Sequence, residues 1–136
     1  LERRTARYSL RPVREEVALI AEALICLASV VYHEARGEPI KGQVAVAHVV
    51  LNRAGRDPSK ICAEVQRRSQ FSWQGVKTEP RAWATALWAA QFAAFSPDSI
   101  HGATHFDANG RAYWKWKFVE VARVGGHNFY RELSRK

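Results

Sequence analysis

One break in the sequence dictates how the chain must be laid out. Residues 32–43 read YHEARGEPIKGQ, with two glutamates four positions apart, an arginine, two glycines and a proline between two apolar runs. Before it, Val17, Ile20, Leu24, Leu27 and Val31 recur at three- and four-residue intervals, the period of a helix face. Leu19, Ala23 and Val30 widen the stripe, which predicts a helix that is apolar over most of its circumference and central in the core. Gly37 suits the residue just past a helix end, with Arg36 in the last turn. Pro39 can open a second helix at its first position, and Val44–Leu51 make that helix, Ile40 to Ala54, mostly buried as well. Gly55 stops it.

The two glutamates feel this break in opposite ways. Glu34 lies in a last helical turn with an apolar approach, and both the carbonyl end of the dipole and loss of water favour a protonated carboxyl. Glu38 lies beside a helix start, where the anion is favoured; Arg36 and Arg53 are its expected ion-pair partners. A carboxyl that keeps its proton near neutrality is what donation to a glycosidic oxygen requires. The pattern therefore makes Glu34 the candidate acid and Glu38 a supporting carboxylate. Gly37, Gly42 and Gln43 leave room for a ligand to come close.

The remaining chain reads as one helix-dominated α+β unit. At 136 residues a single domain is the simplest division: a basic arm over residues 1–14, carrying Arg3, Arg4, Arg7, Arg11 and Arg14, then a catalytic domain over 15–136. Pro12 precedes the first helix, and Glu15 and Glu16 fall in its expected first turn. Asp57-Pro58-Ser59 starts a shorter helix. Residues 67–79 read as an irregular basic and aromatic segment. Pro80 opens a helix in which Trp83, Leu87, Trp88, Gln91, Phe92 and Phe95 share roughly one side, with alanines between them that admit close neighbours. After a loop at Ser96–Ser99, Ala103–Asp107 and Phe118–Val124 read as short strands. Gly125-Gly126 turn into His127–Arg131.

Composition narrows the partners. Lysine and arginine outnumber acids 21 to 13, for a net charge of +8, which predicts attraction to an anionic polymer or surface. Methionine is absent, as expected of a processed chain or a fragment. No stretch reads as a membrane span, since Val17–Val31 is short and interrupted by Glu22. Cys26 and Cys62 sit among apolar residues and are expected as buried thiols rather than a disulfide.

The run HEARGEPIKGQVAVAHVVLNR with ICAEVQRRSQFSW, and later GATHFDANGRAYW with VARVGGHNFYR, resembles the cell-wall hydrolases of the SleB/CwlJ type, over about Val30 to Arg131. Phe106 stands where that family usually has tyrosine, and Tyr113 where proline is common. The resemblance implies a lysozyme-like, lytic transglycosylase-like fold. It also implies cleavage of peptidoglycan between N-acetylmuramic acid and N-acetylglucosamine, giving 1,6-anhydro products with Glu34 as acid and then base. No cofactor or metal is implied. Gln70, Phe71, Ser72 and Trp73 become the expected second wall of the cleft, where amide, hydroxyl and aromatic groups meet sugars. Trp114, paired at strand spacing with Trp116, and His105, His127 and Tyr130 join them as expected substrate contacts. His33 and His48 read as packing residues.

Other readings stay open. A muramidase using water needs a second carboxylate, with Asp107 or Glu79 as candidates. A metal-dependent amidase is weakened because His33-Glu34 begins an HExxH motif that fails at Gly37. A non-catalytic basic module binding peptidoglycan or nucleic acid fits the charge, although arginine and tryptophan do not interleave in a nucleic-acid signature. The expected partner is the glycan strand, without nucleic acid or membrane insertion, and the chain is expected to be monomeric. The expected location is the cell envelope, reached by export or by delivery from a phage or phage-like particle.

Overall fold

At Gly37, φ is +89°, a backbone state that costs glycine little, and there the chain reverses between its first two helices. The computed structural model describes residues 10–68, 79–108 and 117–133. Within them lie α1 (Leu10–Ala35), α2 (Ile40–Arg53), α3 (Pro58–Arg68) and α4 (Pro80–Ala94), followed by β1 (His105–Asp107), β2 (Phe118–Val124) and β3 (His127–Glu132). The helices pack on one another first, and the strands form an antiparallel sheet in the order β1-β3-β2. His105 pairs with Tyr130 and Asp107 with Asn128, while Val124 pairs with His127 across the Gly125-Gly126 turn. A bulge between Glu120 and Ala122 shifts the register of β2.

The buried centre is α2, not α1 as its apolar pattern predicted. Every residue from Gly42 to Leu51 is buried. In α1 the core positions are Ala23, Leu27, Ala28, Val30, Val31, Tyr32 and Ala35, whereas Val13, Val17 and Ile25 are more than half exposed. The helix begins at Leu10, so it takes in the end of the expected arm. Pro12 sits within the first turn, where its missing N–H breaks no helical bond, and Glu15 and Glu16 fall beyond that turn. α1 is also longer than its apolar core: Val13–Ala35 is long and apolar enough to cross a membrane by length and composition, contrary to expectation. Its C-terminal half is nonetheless committed to the core described above.

The alanines of α4 carry its packing. Ala86, Ala89, Ala90 and Ala93 have no exposed surface, and their three- and four-residue spacing makes the flat face on which α1 and α2 rest. The aromatic side foreseen in the sequence is divided. Trp83 and Leu87 flank the core, while Trp88, Phe92 and Phe95 are exposed, with the Trp88 and Phe92 rings stacked 5.2 Å apart.

A disulfide and a buried histidine tie the helices together. Cys26 and Cys62 form a disulfide joining α1 to α3, correcting the expectation of free thiols. The apolar surroundings suit either state, and what decides is the 5.3 Å between their Cα atoms, within the span a disulfide bridges. His48, buried in α2, donates from Nε2 to the carbonyl of Ala93 at 3.2 Å and accepts at Nδ1 from the Ser99 N–H at 3.2 Å. Asp98 orders the same loop by accepting from the N–H groups of Ile100 at 2.9 Å and Gly102 at 2.6 Å. Partial burial acts to raise the Asp98 pKa, but these donors and Asn52 outweigh it and hold it below the usual 3.8.

Reducing the disulfide, which closes a 36-residue separation, is expected to cost about 3–4 kcal/mol by chain entropy. Urea unfolding with and without reductant measures it. Burial, outweighing the Ala93 carbonyl, lowers the His48 pKa from its ordinary 6.5. The unfolded chain therefore gains a proton on His48 near pH 6.5 while the folded chain does not, so this contribution is whole above that pH and is lost as pH falls below it. Urea midpoints should drop between pH 7 and 5, and His48→Gln should flatten that slope.

Candidate active site

Glu34 projects from the last turn of α1 and is exposed. The turn beneath it is held by Tyr32, which has no exposed surface. Its hydroxyl oxygen accepts the N–H of Glu79 at 3.0 Å, and its ring meets Trp83 edge-on at 5.9 Å. The Arg36 guanidinium lies 4.7 Å from the centre of the same ring and 3.6 Å from the Glu79 carboxylate. That ion pair is exposed and adds little by itself. Together these contacts stitch Glu79, where the chain enters α4, under the end of the helix that carries Glu34. The apolar wrapping foreseen for the Glu34 carboxyl is not supplied by the described residues, which bury Tyr32 and Ala35 but leave Glu34 open.

Glu38 follows Gly37 directly and makes three separate bonds. Its N–H donates to the carbonyl of Ala35 at 3.0 Å, and its carbonyl accepts from Nε2 of Gln43 at 3.0 Å. Its Oε1 accepts the N–H of Gly126 at 2.7 Å. It pairs with neither expected arginine, because Arg36 is drawn to Glu79 and Arg53 to Glu64. Gln43 is 5% exposed and its Oε1 has no hydrogen-bond partner among the described residues. His127, next to Gly126, is 6% exposed, lies edge-on to Phe106 at 5.2 Å, and likewise has an unpartnered Nδ1 among the described residues.

A second cluster surrounds β1. Arg53 Nε donates to Glu64 at 2.6 Å, and its Nη1 donates to the carbonyl of Thr104 at 3.2 Å and lies 3.4 Å from Nε2 of His105. Arg67 holds the other Glu64 oxygen at 3.2 Å, so the buried Glu64 carboxylate is compensated on both sides. His105 Nδ1 is 2.9 Å from the Thr104 hydroxyl, and its ring lies 4.4 Å from Phe118. Tyr130, nearly buried, donates its hydroxyl to Asp107 at 3.3 Å. Burial first, and then the Asp107 charge, raise the Tyr130 pKa above 10.0, so the phenol stays a donor.

The expected site residues thus fall into two groups. Glu38 and Gln43 are bonded at the turn that follows Glu34, and His127 comes one residue after the Gly126 that Glu38 holds, while His105 and Tyr130 belong with Arg53 and Asp107. Gln70, Phe71, Ser72, Trp73, Trp114 and Trp116 lie outside the described residues. Sequence reasoning missed Tyr32 and the Arg53–Glu64 pair. Tyr32 had one signal, a lone tyrosine closing an aliphatic helix two positions before Glu34. Glu64 had a local signal in Arg67 three residues on in the same helix, but its pair with Arg53 forms only when α2 and α3 are side by side.

Comparison with known proteins bears on the family and the fold. The chain resembles the spore cortex-lytic enzymes of Halalkalibacterium halodurans, at 32% identity over 120 residues, and Bacillus subtilis, at 29% over 109 residues. These alignments cover 76% of this chain but only 33% and 35% of those proteins, so the chain spans about a third of their length. Its fold matches the catalytic domain of the germination-specific lytic transglycosylase SleB from Bacillus anthracis, with a TM-score of 0.64 and 27% identity, covering 80% of this chain and 93% of that domain. The SleB catalytic domain of Bacillus cereus matches with a TM-score of 0.65 and 26% identity, covering 80% of this chain and 89% of that one. The sequence pattern of the cell wall hydrolase family matches residues 37–130, and the chain belongs to that family.

Proposed function

We propose that this chain cleaves the glycan strand of peptidoglycan between N-acetylmuramic acid and N-acetylglucosamine, as a lytic transglycosylase with Glu34 as its acid and base. The observation that carries the reading is an exposed carboxyl on the last turn of α1, in a fold shared with a domain described as a lytic transglycosylase. Glu34 gives its proton to the glycosidic oxygen as the C1–O bond breaks. The resulting carboxylate takes the proton of the muramic acid 6-hydroxyl as that oxygen bonds to C1. The product is a 1,6-anhydro ring, and Glu34 returns to its starting state without water being consumed.

The other acids support a mechanism with one carboxyl. Neither 69–78 nor 109–116 contains aspartate or glutamate. Glu38 is engaged by Gly126, Glu64 by two arginines, and Asp107 by Tyr130. Glu79 faces Arg36. Of the two candidates for activating water, Asp107 is held by the Tyr130 hydroxyl, while Glu79 makes only an exposed contact with Arg36.

Gln70–Trp73 form the opposing wall in this reading, with Trp114 and the strand residues His105, His127 and Tyr130 completing the glycan contacts. What supports the wall is that its flanks are both tied near Glu34's helix: α3 is bound to α1 by the disulfide, and Glu79 is bonded to Tyr32. The enzyme acts as a monomer in the cell envelope, reached by export or from a phage-like particle. The disulfide supports an oxidising compartment, and the +8 charge favours an anionic wall.

Glu34→Gln should fold normally by circular dichroism and lose about 10²–10⁴-fold in lytic rate. Mass spectrometry of digested sacculi should find anhydromuropeptides; reducing ends would instead mean hydrolysis, and freed stem peptides an amidase. Lysis should slow as salt is added, because screening weakens long-range attraction to the wall. A rate indifferent to ionic strength removes that role for the charge.

A further inference from the structure

Glu38 touches three elements at once, and only one of its bonds uses the side chain. The backbone bonds hold it to α1 and α2, and the carboxylate reaches across to the turn between β2 and β3. The turn is shaped to receive it. Gly125 has φ +58°, and a Cβ on Gly126 would lie 2.9 Å from Oε2 of Glu38, so a side chain there would push the carboxylate off its place. A Cβ on Gly125 would collide with the same carboxylate. On the other flank, a Cβ on Gly42 would lie 3.4 Å from Glu38 Cβ. Glycines at 42, 125 and 126 thus surround one carboxylate, and an anion accepting a backbone N–H makes one of the stronger hydrogen bonds a protein has.

We propose that Glu38 is a positioning residue for the lytic reaction: its carboxylate holds the β2–β3 turn against the end of α1, fixing Glu34's turn relative to the strand that carries His127 and Tyr130. The proposal rests on Glu34 being the acid and adds what keeps that acid in register with the sheet. Gly126 immediately precedes β3, so the bond sets where the central strand begins. Displacing a reacting group by about 1 Å can cost on the order of 100-fold in rate. A carboxylate that ties Glu34's turn to the start of β3 therefore acts on turnover more than on binding.

The test compares Glu38→Ala, Glu38→Gln, Gly126→Ala and Glu34→Gln on soluble peptidoglycan strands, well below each variant's melting temperature. Glu38→Ala should lower kcat by about 10- to 100-fold with KM little changed. Glu38→Gln keeps an oxygen that can accept the Gly126 N–H, and should recover most of that loss. Gly126→Ala should reproduce the defect, and the double variant with Glu38→Ala should be no slower than either single one. A role in stability alone would lower the melting temperature and leave kcat of the folded enzyme intact. If Glu34→Gln is inactive while folded Glu38→Ala turns over at the wild-type kcat, the positioning role is overturned and the acid assignment stands. If Glu34→Gln is active, both fall. Should Glu38→Ala fail to fold, Gly126→Ala decides: a wild-type kcat overturns the proposal, and a lowered one beside an active Glu38→Gln supports it.

Discussion

A helix buried along ten consecutive residues has no solvent to satisfy its polar groups, and α2 is such a helix. Its backbone is served by its own hydrogen bonds, but each polar side chain needs a partner supplied by something packed against it. His48 obtains the Ala93 carbonyl and the Ser99 N–H, which forces the end of α4 and the following loop to lie where they do. Asn52 reaches the Ala103 carbonyl at 2.9 Å and Arg53 the Thr104 carbonyl, drawing the start of β1 onto the far end of the helix. Gln43 does the same at the near end with the carbonyl of Glu38. The polar side chains of one buried helix thus determine the placement of the loop, the sheet and the turn that follows Glu34.

Much of this was legible in the sequence where the cause is local. Gly37 and Gly55 both occupy left-handed backbone at the foreseen helix ends. Phe118–Val124 and the Gly125-Gly126 turn fall where strand and turn residues placed them. The helix-dominated α+β class and the cell wall hydrolase family, drawn from EARGE with the later G-G-H-x-F-Y run, also agree with the fold and the comparisons.

Where the cause lies between distant residues, the sequence was silent or pointed elsewhere. Apolar patterning made α1 look more buried than α2, because periodicity reports the width of an apolar face and not how many neighbours reach it. Cys26 and Cys62 looked like two core residues until the helices carrying them were side by side. Arg36 and Arg53 looked available to Glu38, yet each has an acid placed closer by the fold. The bond from Glu38 to Gly126 spans 88 residues, and no local rule connects a glutamate after one turn to the glycines of another. The candidate site was readable as a list of residue types; how those residues divide into two clusters was not.

The length of α1 sets a dimension for the molecule. Leu10 and Glu34 stand on one continuous helix, which places them roughly 36 Å apart at 1.5 Å per residue. The buried residues of the helix all lie from Ala23 onward, in the half nearer Glu34, whereas Val13 and Val17 are more than half exposed. A support gripping that outer half would hold the carboxyl at a fixed stand-off, like a tool on a stiff shaft. Rotating the shaft would change which way the cutting face looks far more than how far it extends.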